Sequence, residues 1–147
     1  MRLTAFSDYC LRVLMFVAVR EDSLVTIDEI ASTYGISRNH LMKVVTRLAQ
    51  LGHIETVRGK GGGLRLAGDP RNINIGALLR ETEHDLVLVE CFQTSGNRCA
   101  ITPACVLRGA LREALEAFLA VLDRYTLADL AAPQRELARL LDLHSPG

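Results

Sequence analysis

Residues 26–66 constrain the fold more than any other stretch, because two capped helices, a glycine corner and a glycine-rich hairpin follow one another directly. Thr26-Ile-Asp-Glu29 is a capping-box pattern, in which the Thr and Glu side chains each take a backbone N–H from the other's position. Ile27, Ile30, Ala31 and Tyr34 mark the apolar side of a short helix. Gly35 falls where a tight corner needs a positive φ, Ile36 plugs the angle between two helices, and Ser37 is a good N-cap for the second. Gly52 then stops that helix. Residues 53–57 read as one short strand and Leu64 with Leu66 as the returning one, joined by Arg58-Gly-Lys-Gly-Gly-Gly63. A phosphate-cradling glycine loop is excluded, since no helix begins after these glycines and no Lys-Ser/Thr pair closes the motif. The expected fold is mainly α with a small β-wing: a winged helix-turn-helix head plus a long dimerisation helix.

The second helix of that unit has an apolar face of Leu41, Val44, Val45, Leu48 and Leu51. Its opposite face carries Asn39, Met42, Lys43, Thr46 and Gln50, flanked by Arg38, His40 and Arg47, side chains suited to base edges and phosphates. The chain has 17 basic and 17 acidic residues, so its formal charge is zero. The charge is nevertheless segregated: over 36–66 six Lys and Arg face a single Glu55, whereas Glu81, Glu83, Asp85 and Glu90 follow without a base over 81–90, Arg-free once Arg80 is passed. The expected DNA contacts are Ser37, Arg38, Asn39, His40, Lys43, Thr46 and Arg47 on the helix and Arg58 and Lys60 on the wing. Aromatic residues are only 5% and Trp is absent, which argues against a surface built to stack bases or sugars.

In the first helix Leu3, Phe6, Cys10, Val13, Leu14 and Val17 share one face, while Asp8, Leu11, Met15 and Val19 lie on the other, as in a helix sandwiched between its own domain and a partner. Cys10 reads as a small core hydrophobe and Asp8, by itself, as a surface acid favoured by the helix dipole. Arg12 interrupts the apolar run 11–19 and no small-residue cleavage site follows it, so neither a signal peptide nor a membrane span is expected and the location is taken as cytoplasmic. After Cys105 a helix to about Tyr125 carries Leu107, Ala110, Leu111, Ala114, Leu115, Phe118, Val121 and Leu122, more apolar surface than the small head can cover, so a second copy is expected to cover it. From Pro133 the chain reads as a short amphipathic helix and a frayed end.

Cys91, Cys99 and Cys105 follow a Cys-x7-Cys-x5-Cys spacing in a stretch with loop signals at Gly96, Asn97 and Pro103. Structural zinc sites use closer pairs and four ligands, and a disulfide would strand one thiol. Soft thiolates suit an iron–sulfur cluster, yet spacing alone leaves a cluster, zinc and unrelated cysteines open. His84 is a fourth-ligand candidate by residue type only. No second cofactor motif and no convergent acid–base set supports an enzyme or an electron carrier.

Met-Arg-Leu-Thr-x-Phe-Ser-Asp-Tyr at the start, the Arg58-to-Gly63 wing, Ile73-Asn-Ile-Gly, Arg80-Glu-Thr-Glu83, Leu88-Val-Glu-Cys-Phe92, Ile101-Thr-Pro-Ala-Cys105 and Asp123-Arg-Tyr-Thr-Leu-Ala-Asp-Leu130 together resemble the family of iron–sulfur winged-helix regulators. The likeness runs from residue 1 to about 130 and is strongest to the nitric-oxide-sensing repressors of that family. It implies a homodimer on double-stranded promoter DNA and a cluster ligated by Cys91, Cys99 and Cys105, with Asp8 of the opposite subunit completing a 4Fe–4S form; a 2Fe–2S form is the alternative. Nitric oxide is then the signal, and DNA is released on cluster nitrosylation. Arg108 stands where cluster-biogenesis regulators carry a His three residues after the third Cys, so a cluster-status or redox-responsive regulator matches less well. The first two cysteines are farther apart than in many relatives, which leaves the nuclearity open. The chain divides on this reading into a DNA-binding head (1–84), a cluster loop (85–105), a dimerisation region (106–132) and a tail (133–147).

Overall fold

The computed structural model describes residues 1–144, so the last three residues of the expected tail lie outside the described residues. The elements run α1 (Ala5–Val19), α2 (Ile27–Tyr34), α3 (Arg38–Gln50), β1 (Ile54–Val57), β2 (Gly63–Leu66), α4 (Ile75–Thr82), α5 (Val106–Leu122), α6 (Leu127–Leu130) and α7 (Gln134–His144). The architecture is mainly α with one two-stranded antiparallel sheet, as the pattern of the sequence requires.

The corner between α2 and α3 follows from its residues. Thr26 and Glu29 form the full capping box, with Glu29 Oε2 accepting the Thr26 N–H at 2.7 Å and Thr26 Oγ1 accepting the Glu29 N–H at 3.1 Å. Gly35 closes α2 at φ 66°, a left-handed conformation that a Cβ would disfavour. Ile36 is buried behind it, and Ser37 Oγ accepts the His40 N–H to start α3. β1 and β2 pair from Ile54 opposite Leu66 to Val57 opposite Gly63, and Val25 adds a bridge to Leu64. Inside the tip, a Cβ on Gly62 would stand 2.1 Å from the Val57 carbonyl oxygen, so only glycine lets the chain turn this closely.

The core gathers Cys10, Val13, Leu14 and Val17 of α1 with Ile30, Leu41, Val44, Leu48, Ile54, Leu64, Ile75 and Leu78. Two features depart from expectation. Val19, placed on the partner-facing side of α1, is buried within its own chain: α7 packs over the end of α1, and Gln134 Nε2 donates to the Val19 carbonyl at 3.3 Å. The helix after Cys105 ends at Leu122, short of Tyr125, and the chain then returns to the head. Leu127 is fully buried there, its N–H bonded to the Ile73 carbonyl at 2.8 Å, while the Ile75 N–H bonds to the Tyr125 carbonyl at 3.0 Å. Of the α5 residues only Leu119 is buried, whereas Val106, Leu107 and Val121 are exposed. Among the described residues no helix is long and apolar enough to cross a membrane.

Candidate nucleic-acid interface and cysteine loop

The amphipathic period of α3 turns Leu41, Val44, Val45 and Leu48 into the core and leaves Asn39, His40, Met42, Lys43, Thr46 and Gln50 exposed on the outside. The expected contact residues have distinct surroundings. Ser37 spends its oxygen on the helix cap, Arg38 pairs with Asp28 across the corner, and the Thr46 hydroxyl donates to the Met42 carbonyl at 2.8 Å. Arg47 is half-buried, with Nη2 aimed at the Glu81 carbonyl at 3.5 Å, so its guanidinium points into the junction between α3 and α4 and not outward with Lys43. On the wing, Glu55 pairs with its cross-strand neighbour Arg65 at 3.0 Å. Arg58 and Lys60 stand exposed at the tip, without an ion pair among the described residues, so the positive charge is concentrated at the end of the hairpin.

Asp8 lies in the first turn of α1, where Arg12, one turn on, takes both its oxygens at 2.9 and 3.2 Å. The Arg12 guanidinium also covers the rings of Tyr34 and Tyr9 at 5.6 and 6.0 Å, and Tyr9 meets the His40 ring edge-on at 5.7 Å. Asp8, Tyr9, Arg12 and Tyr34 line an open cavity of about 410 Å³ beside Gly35 and Ile36. Burial pushes the Tyr34 hydroxyl above its ordinary pKa, with Arg12 pulling it back and Asp8 adding to the rise. Asp8 is thus connected by contacts to the N-terminal turn of α3.

The three cysteines of the loop are free thiols held by a local framework. Cys91 sits in a 3-10 turn, Glu90–Phe92. Cys99 donates its N–H to Asn97 Oδ1 at 3.0 Å, and its carbonyl accepts the Thr102 hydroxyl at 2.8 Å. Cys105 is the N-cap of α5, its sulfur accepting the Arg108 N–H at 3.4 Å. Cys91 and Cys105 are half-buried and Cys99 is exposed. The fourth cysteine, Cys10, is excluded from this chemistry: it is fully buried, and burial pushes its thiol up to about 12 against a lowering influence of Arg47.

In its donor chemistry the loop fits an iron–sulfur cluster, offering three unpaired soft ligands within one short segment. Among the described residues no three Cys, His, Asp or Glu side chains are gathered closely enough to hold a metal ion. Asp8 and Cys105 line different cavities with no residue in common. His84 is exposed and stacks on the Phe6 ring at 6.5 Å.

Between loop and head lies a junction that the sequence does not reveal. Glu81 accepts from Arg47 of α3 through its carbonyl, and its carboxylate lies 3.3 Å from His53 Nε2. Thr82 is buried and accepts the Ser7 hydroxyl at 2.9 Å. Glu83, also buried, accepts the Thr4 N–H at 2.8 Å and the Thr4 hydroxyl at 3.1 Å. Three successive residues therefore bind α3, the middle of the α1 N-terminal turn and its cap, immediately before the segment leading to Cys91.

Residues 3–133 match the model of the Rrf2 family, described as iron-dependent transcriptional regulators. The HTH-type transcriptional regulator NsrR of Bacillus subtilis strain 168 is 54% identical over 144 residues, 97% of this chain and 99% of that protein. Its counterpart from Geobacillus kaustophilus is 54% identical over 96% of this chain and 97% of its own length. Among solved structures, T. potens IscR superposes with a TM-score of 0.73 at 24% identity, covering 93% of this chain and 90% of that one, and so shares the fold.

Proposed function

The chain belongs to the Rrf2 family of transcriptional regulators, and from that premise we propose that it is a cytoplasmic homodimeric repressor that releases promoter DNA in response to nitric oxide sensed at an iron–sulfur cluster. It is a DNA-binding regulator and not an enzyme. The sensing half of the reading rests above all on three free cysteines in one loop of a chain 54% identical, over 97% of its length, to a regulator named NsrR. Cys91, Cys99 and Cys105 would hold the cluster, with Asp8 of the second copy as the remaining ligand, in a 4Fe–4S form before a 2Fe–2S one. A bound cluster supplies iron sites that react with nitric oxide, on a ligand set whose hardest and weakest member is the carboxylate.

The rest of the mechanism belongs to the protein. Ser37, Arg38, Asn39, His40, Lys43, Thr46 and Arg47 form or support the reading helix, and Arg58 and Lys60 grip phosphate from the wing. Arg12 holds Asp8 in a salt bridge that Asp8 would have to give up to serve as a ligand. Arg12 lies over Tyr9 and Tyr34, and Tyr9 bears on His40 at the start of α3, so the position of Asp8 biases the pose of the reading helix.

The test is fluorescence anisotropy with anaerobically purified protein on a palindromic DNA selected by the protein from a random pool, titrated with nitric oxide. Tight initial binding that collapses within a few equivalents per cluster is the expected result. Binding indifferent to nitric oxide but altered by cluster removal would replace the reading with a cluster-status or redox-responsive regulator. Asp8→Ala is expected to retain an iron-containing chromophore yet lose less DNA affinity on nitric oxide exposure than wild type; an unchanged response would remove Asp8 from the mechanism.

A further inference from the structure

Arg108 touches both ends of the cysteine loop. Its backbone N–H donates to Cys105 Sγ at 3.4 Å, and its side-chain Nε donates to the Cys91 carbonyl at 3.3 Å. One turn further along α5, the Arg112 guanidinium lies over the ring of Phe92, the neighbour of Cys91, at 5.3 Å from the centroid. Bringing together the ends of a loop this long carries an entropic cost, which these side-chain contacts help to offset. Arg108 is half-buried, and among the described residues no carboxylate pairs with it. Its charge is therefore directed at the loop.

We propose that Arg108 is a positioning residue for the cysteine loop, clamping the Cys91 end to the Cys105 end so that two of the three sulfur donors are held in place before any metal binds. The backbone half of the clamp survives any substitution, so the side chain alone is under test. A guanidinium holds a carbonyl through a fixed planar N–H, which Lys reproduces in charge but not in shape and which Gln is too short to reach. The inference depends on the proposed cluster only for what the clamp is used for, not for its existence.

The experiment measures amide hydrogen exchange on the metal-free full chain for wild type, Arg108→Lys and Arg108→Gln, reading the peptide covering 88–95 against peptides of α1 to α5. In Arg108→Gln the 88–95 peptide is expected to exchange about ten-fold faster, the worth of one charge-assisted hydrogen bond, with Arg108→Lys between the two and the helices unchanged. Equal exchange in 88–95 across the three proteins overturns the clamp, as does a change confined to α5, which would mark Arg108 as helix packing only. Should Arg108→Gln fail to fold by circular dichroism, the Arg108→Lys comparison decides by the same criterion. Cobalt(II) titration of the metal-free proteins, followed by the thiolate charge-transfer band, supplies the second readout: affinity is expected to fall in the order Arg, Lys, Gln, and an equal affinity counts against positioning. If wild type takes up neither cobalt nor a reconstituted cluster while the exchange difference persists, the clamp stands and the cluster reading fails.

Discussion

Ser7 and Thr82 are both shut off from solvent, and the Thr82 hydroxyl takes the Ser7 proton at 2.9 Å while giving its own to the Leu78 carbonyl at 3.0 Å. Removing Thr82 takes away the acceptor of the Ser7 proton and leaves that hydroxyl, shut off from water, only its contact with the Thr4 hydroxyl at 3.3 Å, which is costlier than removing both. Thr82→Val is therefore expected to lose about 1–3 kcal/mol in urea denaturation, and Ser7→Ala added to it to recover most of that loss. A double variant no more stable than Thr82→Val would show that the two hydroxyls are not a unit. Arg80 and Asp123 illustrate the opposite, exposed case, with bonds of 2.6 and 3.0 Å between guanidinium and carboxylate. Hydrogen bonding from Arg80, set against a small desolvation and helped by its charge, holds the Asp123 carboxyl below its ordinary value of 3.8. A carboxyl whose pKa falls on folding stabilises the protein above its unfolded value and loses that contribution as pH drops through the folded one. Wild type is thus expected to exceed Arg80→Met in urea midpoint at neutral pH, with the gap narrowing as the pH is lowered below 3.8; a gap that widens in acid would contradict the assignment.

The elements with local instructions are those the sequence states openly. The capping box at Thr26, the Gly35 corner, the Ser37 cap and the glycine tip each act within a few residues, and each appears where expected. What the sequence does not state are contacts between distant segments. Glu83 reads as one of a run of surface acids, and only the fold brings Thr4 to it across 79 positions. Arg47 falls on the reading face of α3 by count, but its guanidinium turns to the Glu81 carbonyl, supplied by α4 34 residues away. Val19 reads as partner-facing because nothing nearby announces that α7 covers it. The cysteines are legible as residue types and as a loop; the Arg108 clamp is not, since an arginine in a helix is ordinarily solvated. The division within α3 carries its own prediction. Lys43→Ala, like Lys60→Ala on the wing, is expected to weaken DNA binding alike on all sequences and to lower the slope of log affinity against log salt by about 1. Arg47→Ala is expected to leave that slope closer to wild type and to lower the melting temperature instead. Equal slopes for Lys43→Ala and Arg47→Ala would place both side chains on phosphate.

Over the whole molecule, charge and apolar surface are distributed to different places. With 17 Lys and Arg balancing 17 acids, net charge supplies no attraction to DNA, and on the proposed reading the local concentration of Lys and Arg on α3 and the wing would supply it. A single head of this size buries too little DNA surface for high specificity, and joining two heads at a fixed spacing is how helix-turn-helix proteins obtain it. On the proposed dimer, α5 would be the element that joins them: it buries Leu119 against its own chain and leaves Val106, Leu107 and Val121 exposed at 86, 63 and 44%. Val106 and Leu107 adjoin Cys105, so a substitution there would confuse assembly with the cysteine loop. Val121 lies at the far end of the helix and separates the two. In an isolated chain a glutamate at this exposed position leaves the core untouched, whereas across a two-fold interface it sets like charges and unpaired carboxylates into an apolar seam. Val121→Glu is therefore expected to sediment as a monomer, to keep the helix content of wild type, and to bind a palindromic site no better than a single half-site. A variant that remains dimeric and still prefers the palindrome would move the interface off this face of α5.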